Sequence, residues 1–222
     1  MLDVDHIAAN VRAGQVKLAA DIWIPAGAIG VVLFAHGSGS SRHSSRNRHV
    51  AEVLNQGAIA TMLTDLLTSE EEAVDLRTAH LRFDIPMLGH RVTAITDWIC
   101  REPRLSTLGL GYFGASTGAA AALVAAAERP GVVRAVVSRG GRPDLAGPAL
   151  KQVVAPTLFI VGSEDLVVLG MNHSAMALLP HPPHHRLEII PGASHLFEEP
   201  GALDQVALLA RKWFQAHLGS SR

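Results

Sequence analysis

Two periods run through this chain, one of two residues and one of three to four, and they predict strands alternating with helices. Gln15 to Ile24 alternates apolar and polar positions as a half-exposed strand that ends at Pro25. Gly30 to Ala35 is a continuous apolar run, the mark of a strand buried on both faces. Ala58 to Leu63 repeats that character, and Leu108 to Phe113, Val132 to Val137, Thr157 to Val161 and Leu187 to Ile190 supply further short apolar strands. Between Pro86 and Cys100, the residues Leu88, Val92, Ile95 and Ile99 recur at helical spacing. Thr117 to Glu128 is an alanine-rich helix, and Leu203, Val206, Ala207, Ala210, Phe214 and Leu218 mark one face of a closing helix.

Strands and helices that alternate at this length imply a mostly parallel central sheet with helices on both faces. One α/β domain spanning residues 1–222 is expected, with no internal repeat or linker before the short tail Gly219 to Arg222. With 48% apolar and 18% charged residues, the chain has ample material for one large core. A formal charge of −1 leaves no basic footprint for nucleic acid. No apolar run reaches the roughly eighteen residues of a membrane span, and the N-terminus, with Asp3 and Asp5, lacks the pattern of a secretion signal. A cytoplasmic location and no membrane or nucleic-acid partner are therefore expected. Cys100, the single cysteine, sits late in a helical pattern and reads as a structural thiol.

Chemistry concentrates where strands end. Gly114-Ala115-Ser116-Thr117-Gly118 is a GxSxG pentapeptide set between an apolar strand and an alanine-rich helix, the setting of a nucleophile elbow. The pentapeptide alone is a weak signal, and its flanks are what give it weight. A serine hydroxyl is a poor nucleophile at neutral pH, so it needs a base and a carboxylate that orients the base. Both follow in the order serine, acid, histidine. The strand Thr157 to Val161 runs into Gly162-Ser163-Glu164-Asp165, and Leu187 to Ile190 runs into Pro191-Gly192-Ala193-Ser194-His195. The bland alternatives are that Asp165 caps the next helix and that His195 is one of twelve histidines, on a surface loop.

These motifs, with His36-Gly37-Ser38-Gly39 after the strand Gly30 to Ala35, resemble the α/β-hydrolase fold superfamily, and within it the uncapped enzymes similar to dienelactone hydrolase. The resemblance covers about residues 15–218. It implies a three-layer α/β fold, Ser116 as nucleophile, Asp165 as the orienting acid, His195 as general base and acid, and backbone N–H groups of Ser38 and Thr117 as the oxyanion hole. It also implies that no metal or organic cofactor is needed. Dienelactone hydrolase itself carries a cysteine where this chain has Ser116 and a glutamate where it has Gly37, so a general carboxylesterase arrangement is expected instead. Only residues 138–156 separate two strands where relatives insert a helical cap, so an open pocket for small or short-chain esters or lactones is expected, with a homodimer possible. Thioesterase, acyltransferase or peptidase activity on the same triad, or a non-catalytic binding module of this fold, are the alternatives.

Several other residues bear on the site. Asp144 occupies a segment from which some hydrolases of this fold recruit their acid, and Glu164 beside Asp165 is expected to face solvent. Arg139, past the strand Val132 to Val137, is either a bidentate clamp for a substrate carboxylate or half of an ion pair. Arg42, Arg46 and Arg48 are expected on a solvated helix face. The run His181-Pro182-Pro183-His184-His185 lacks acidic or cysteine partners nearby and reads as a solvated loop rather than a metal site.

Overall fold

The computed structural model describes residues 3–181 and 184–219. Eight strands form one sheet in the order β1-β2-β4-β3-β5-β6-β7-β8. The apolar runs become β3 (Gly30–Ala35), β4 (Ile59–Thr64), β5 (Gly109–Ala115), β6 (Val133–Arg139), β7 (Thr157–Gly162) and β8 (His185–Ile190). All six run parallel, so their carboxyl ends share one edge of the sheet.

The antiparallel end is β1 (Val4–Ala13) with β2 (Val16–Pro25), and β2 in turn pairs antiparallel with β4. Sequence periodicity does not predict β1, because it is an edge strand with few buried positions and no clean apolar alternation. A signal was present in the two-residue connection of Ala13 to Val16. Gly14 there has φ +63°, as a tight hairpin turn with glycine in its first position requires.

Helices α1 (Ser45–Gln56) and α6 (Ala202–Leu218) contribute Val50, Leu54, Val206 and Phe214 to a core on one face of the sheet. On the other face, α3 (Ile85–Ile99) and α4 (Thr117–Glu128) pack Val92, Ile95 and a run of fully buried alanines. Those alanines let α4 lie close against the strands. Strand β6 continues through Arg139, two residues further than the apolar pattern indicates, so this arginine ends the strand instead of following it. The connection from β6 to β7 holds only short 3-10 turns over Pro143–Gln152, with no inserted helical layer. Among the described residues no helix is long and apolar enough to cross a membrane.

Helix α2 (Ser69–Thr78) escapes the hydrophobic pattern because Asp75 is its one buried residue. Polar contacts hold it instead. Thr68 and Glu71 form a reciprocal capping box, and the same Glu71 carboxylate takes both ends of the Arg91 guanidinium at 2.6 and 2.7 Å. Arg91, on α3 and buried, also donates to the Leu66 carbonyl. This pairing holds the Glu71 carboxyl below the usual carboxylate range. Replacing Glu71 with alanine removes the cap and strands a buried cation, so Glu71→Ala is expected to cost about 3 kcal/mol in an equilibrium urea titration.

Candidate active site

Ser116 stands between the last residue of β5 and the first of α4 with φ 50° and ψ −122°, a conformation costing about 1–3 kcal/mol for a residue with a side chain. Three backbone hydrogen bonds hold it there. Its N–H donates to the Arg139 carbonyl at 3.2 Å, and its own carbonyl accepts from Ala119 at 3.1 Å and Arg142 at 3.0 Å. The flanking glycines are required by proximity. A Cβ on Gly114 would stand 2.4 Å from Ala119 Cα, and one on Gly118 2.2 Å from the Ala35 carbonyl oxygen.

The loop after β3 approaches from the other side. His36 is half-buried, and its Nε2 accepts from the Leu66 N–H at 3.0 Å while its Nδ1 lies 3.0 Å from the Gly37 carbonyl. An accepting Nε2 puts the proton on Nδ1, so the ring is neutral and tethers the turn to the residues after β4. Burial lowers the His36 pKa in agreement with that state. A Cβ on Gly37 would fall 2.9 Å from Ser116 Cβ. Ser38 Oγ meets Thr117 Oγ1 at 3.0 Å, which sets the two residues side by side. Among the described residues neither the Ser38 nor the Thr117 N–H has a protein acceptor.

Asp165 and His195 come together through their loops. The amides of Ser163 and Glu164 donate to the carbonyls of Ile190 and Ala193, and Ser163 Oγ accepts from Gly192 N–H at 2.8 Å. A Cβ on Gly162 would be 2.1 Å from the Ala193 carbonyl, which shows how closely the two turns pack. The result is a hydrogen bond of 2.6 Å between His195 Nδ1 and Asp165 Oδ2. Asp165 does occupy the N-cap of α5 (Leu166–Met176), but its side chain caps nothing. Its carboxylate is committed to the imidazole, leaving Nε2 available. Among the described residues no hydrogen bond joins Ser116 Oγ to His195. The two are neighbours through Gly140, where a Cβ would lie 3.6 Å from His195 Cε1 and whose predecessor Arg139 accepts the Ser116 N–H. Bonds of this kind are often long before substrate binds.

A cleft opens beside Ser38 and Thr117, walled by Leu66, Leu67, Leu76 and Leu88. Asp75, almost fully buried, shapes its rim by accepting from the N–H groups of Leu81 and Arg82 and from Arg82 Nε.

The remaining sequence expectations divide. Asp144 accepts two hydrogen bonds from Arg142, at 2.9 and 2.8 Å, and points to that partner instead of to His195. Glu164 is exposed, as expected. Arg42 lies before α1 and pairs with Asp65 and Asp21, whereas Arg46 and Arg48 are partly exposed on α1, Arg46 reaching Glu198 and Arg48 reaching His43. Arg139 is 7% exposed, and the ion pair considered for it is not formed among the described residues. Cys100 is exposed at the C-cap of α3, not a buried structural thiol. Pro182 and Pro183 lie outside the described residues; His181 and His184 face each other at 5.8 Å, and His185 Nε2 sits 2.6 Å from the Pro180 carbonyl. Sequence reasoning missed Asn172, a buried side chain on α5 that donates to the Gly141 carbonyl at 3.0 Å and fixes the turn beside Ser116.

No family model matches the chain. A crystal structure of dienelactone hydrolase from Anabaena variabilis is 60% identical, with a TM-score of 0.94 over 97% of this chain and 99% of that one. The chain belongs to the dienelactone-hydrolase family of the α/β-hydrolase fold. Est1E from Butyrivibrio proteoclasticus shares the fold, with a TM-score of 0.77 at 14% identity over 94% of this chain and 98% of that one. A Mycobacterium tuberculosis protein named "Putative phosphoribosyl transferase" is 56% identical over 209 residues, 94% of this chain. The chain spans 46% of the length of that relative.

Two outcomes follow from the packing around Ser116. Gly37→Ala forces Cβ against Ser116, and a displacement of about 1 Å costs on the order of 100-fold in turnover; rates on any substrate the site processes should fall that far with the unfolding midpoint nearly unchanged. Histidines whose pKa is lowered by burial, His36, His185 and His217, stay neutral when the unfolded chain protonates at about pH 6.5. The unfolded state then binds more protons, so stability is full above that pH and falls below it. In urea titrations from pH 7.5 to 5.5, His36→Gln should be less stable at the upper end and lose less on acidification than the parent protein.

Proposed function

We propose that the protein is a serine hydrolase that cleaves small or short-chain esters or lactones through an acyl-serine. The observation that carries this reading is the Asp165–His195 hydrogen bond beside a strained Ser116 whose neighbours present two unengaged amides. Asp165 holds the imidazole with Nδ1 protonated, so Nε2 takes the Ser116 proton as Oγ attacks the carbonyl carbon. The N–H groups of Ser38 and Thr117 receive the oxyanion. Protonated Nε2 then delivers its proton to the leaving alkoxide, and the alcohol departs. Water, deprotonated by the same nitrogen, attacks the acyl-serine and releases the acid, restoring Ser116.

The esterase and dienelactone hydrolase names of the structural neighbours support an ester-type reaction. The transferase name belongs to a relative about twice as long and is not carried over. The short β6–β7 connection and the small cleft walled by leucines favour short acyl groups over long lipids.

Labelling with a fluorophosphonate should mark Ser116 and be absent in Ser116→Ala. On 4-nitrophenyl esters, Ser116→Ala should lower kcat by about 10,000-fold or more, and rates should decline as the acyl chain lengthens. Wild-type protein that neither labels nor turns over any ester would favour a binding module.

A further inference from the structure

Helix α5 begins at Asp165, yet little apolar contact holds it in place. Of its eleven residues only Val168, Asn172 and Ala175 are buried, while Leu166 and Val167 are each 71% exposed. Asn172 is fully buried, and its amide nitrogen donates to the Gly141 carbonyl at 3.0 Å and to the Val168 carbonyl at 2.8 Å. Its Oδ1 is buried without a partner among the described residues, a desolvation cost that an apolar side chain of the same shape would avoid. The bond to Gly141 is what the amide contributes in return.

The turn that Asn172 grips touches every part of the site. The Arg139 carbonyl accepts the Ser116 N–H at 3.2 Å, and the Arg142 N–H donates to the Ser116 carbonyl at 3.0 Å. Between them Gly140 has φ +49° and donates to the Ile160 carbonyl at 2.8 Å, and a Cβ on it would stand 3.1 Å from the His195 carbonyl oxygen. A Cβ on Gly141 would stand 2.7 Å from Ala119 Cβ in α4. Among the described residues no other donor reaches the Gly141 carbonyl. Asn172 and Asp165 are seven residues apart, which places them on one face of the helix about 10 Å apart along its axis.

We propose that Asn172 is a positioning residue: by pinning α5 to the Gly140–Gly141 turn it sets where Asp165, and through it His195, stand relative to Ser116. This deepens the hydrolase reading and rests on it. Asn172 acts on the backbone that holds Ser116 and on the helix that starts at Asp165, not on the substrate. Without its amide, α5 keeps only Val168 and Ala175 as buried anchors and the Gly141 carbonyl loses its donor. Both loops then gain freedom where the attack geometry has to hold within a fraction of an ångström.

The test has two arms, and the first needs no turnover. Asn172→Leu exchanges one unpaired buried acceptor, the Asn172 Oδ1, for another, the Gly141 carbonyl, so its unfolding midpoint should move by less than about 4 °C. In amide hydrogen exchange, Ser116, Gly140 and Arg142 should exchange about tenfold faster or more in this variant, while Leu33 and Phe113 in the central strands keep their parental rates. If the parent protein turns over no ester, the hydrolase reading falls while this arm still decides whether Asn172 holds the turn.

In the second arm, Asn172→Leu should lower kcat on 4-nitrophenyl butyrate by about 10- to 100-fold with KM within about threefold of the parent, and fluorophosphonate labelling of Ser116 should slow by the same factor as kcat/KM. Asn172→Asp keeps the shape and serves if the leucine variant fails to fold. Burial raises the pKa of the introduced carboxyl, which donates to Gly141 when protonated and repels that carbonyl when ionised. Its kcat relative to the parent at the same pH should therefore fall as pH rises from about 6 to 9. Parental exchange at Ser116, Gly140 and Arg142, a kcat within threefold of the parent, a loss carried by KM alone, or an Asn172→Asp ratio that does not change with pH would each overturn the proposal.

Discussion

Everything in the site depends on how closely the chain can pass itself at Ser116. The turn from β5 to α4 brings Gly114 against the backbone of Ala119, and Gly118 against the carbonyl of Ala35 at the end of β3, at separations that exclude any side chain. With both contacts made, Ser116 holds a positive φ and Thr117 begins α4. The strain is local and its support is distributed. The Arg139 carbonyl at the end of β6 accepts from the Ser116 N–H, and the amides of Arg142 after it and Ala119 in α4 donate to the Ser116 carbonyl. Strand order therefore governs the geometry at Ser116, because β3 and β6 flank β5 and supply the surfaces against which the turn is wedged.

A second constraint is the joining of two loops that are separate in sequence. Asp165 and His195 are thirty residues apart, yet their turns share backbone hydrogen bonds and close packing at Gly162, so their contact does not rely on flexible side chains finding each other. This is the economy of a parallel sheet: neighbouring strands end at the same edge, and short turns there meet. His36 extends the pattern to the other side. As a neutral, half-buried ring it links the turn after β3 to the segment after β4 without bringing a charge beside Ser116.

Several charges in this molecule are paired across the fold. Glu71 meets Arg91, Asp75 meets Arg82, Asp97 meets Arg129 and Asp144 meets Arg142. Arg139 departs from that habit: it is buried over the Phe197 ring with no carboxylate partner among the described residues.

By itself the sequence determined the parallel strands, the main packing helices and the positions of Ser116, Asp165 and His195 at strand ends. Those features follow from local periodicity and from glycine-rich turns, which act over a few residues. It did not reveal β1, whose few buried positions leave a weak pattern, or α2, which is held by ion pairs instead of an apolar stripe. Nor could it assign partners to charges. Tertiary structure decided that Asp144 belongs to Arg142, that Arg42 belongs to Asp65 and Asp21, and that Arg139 belongs to no carboxylate among the described residues. An ion pair depends on distance and burial across the fold, and neither is written in the spacing of residues along the chain.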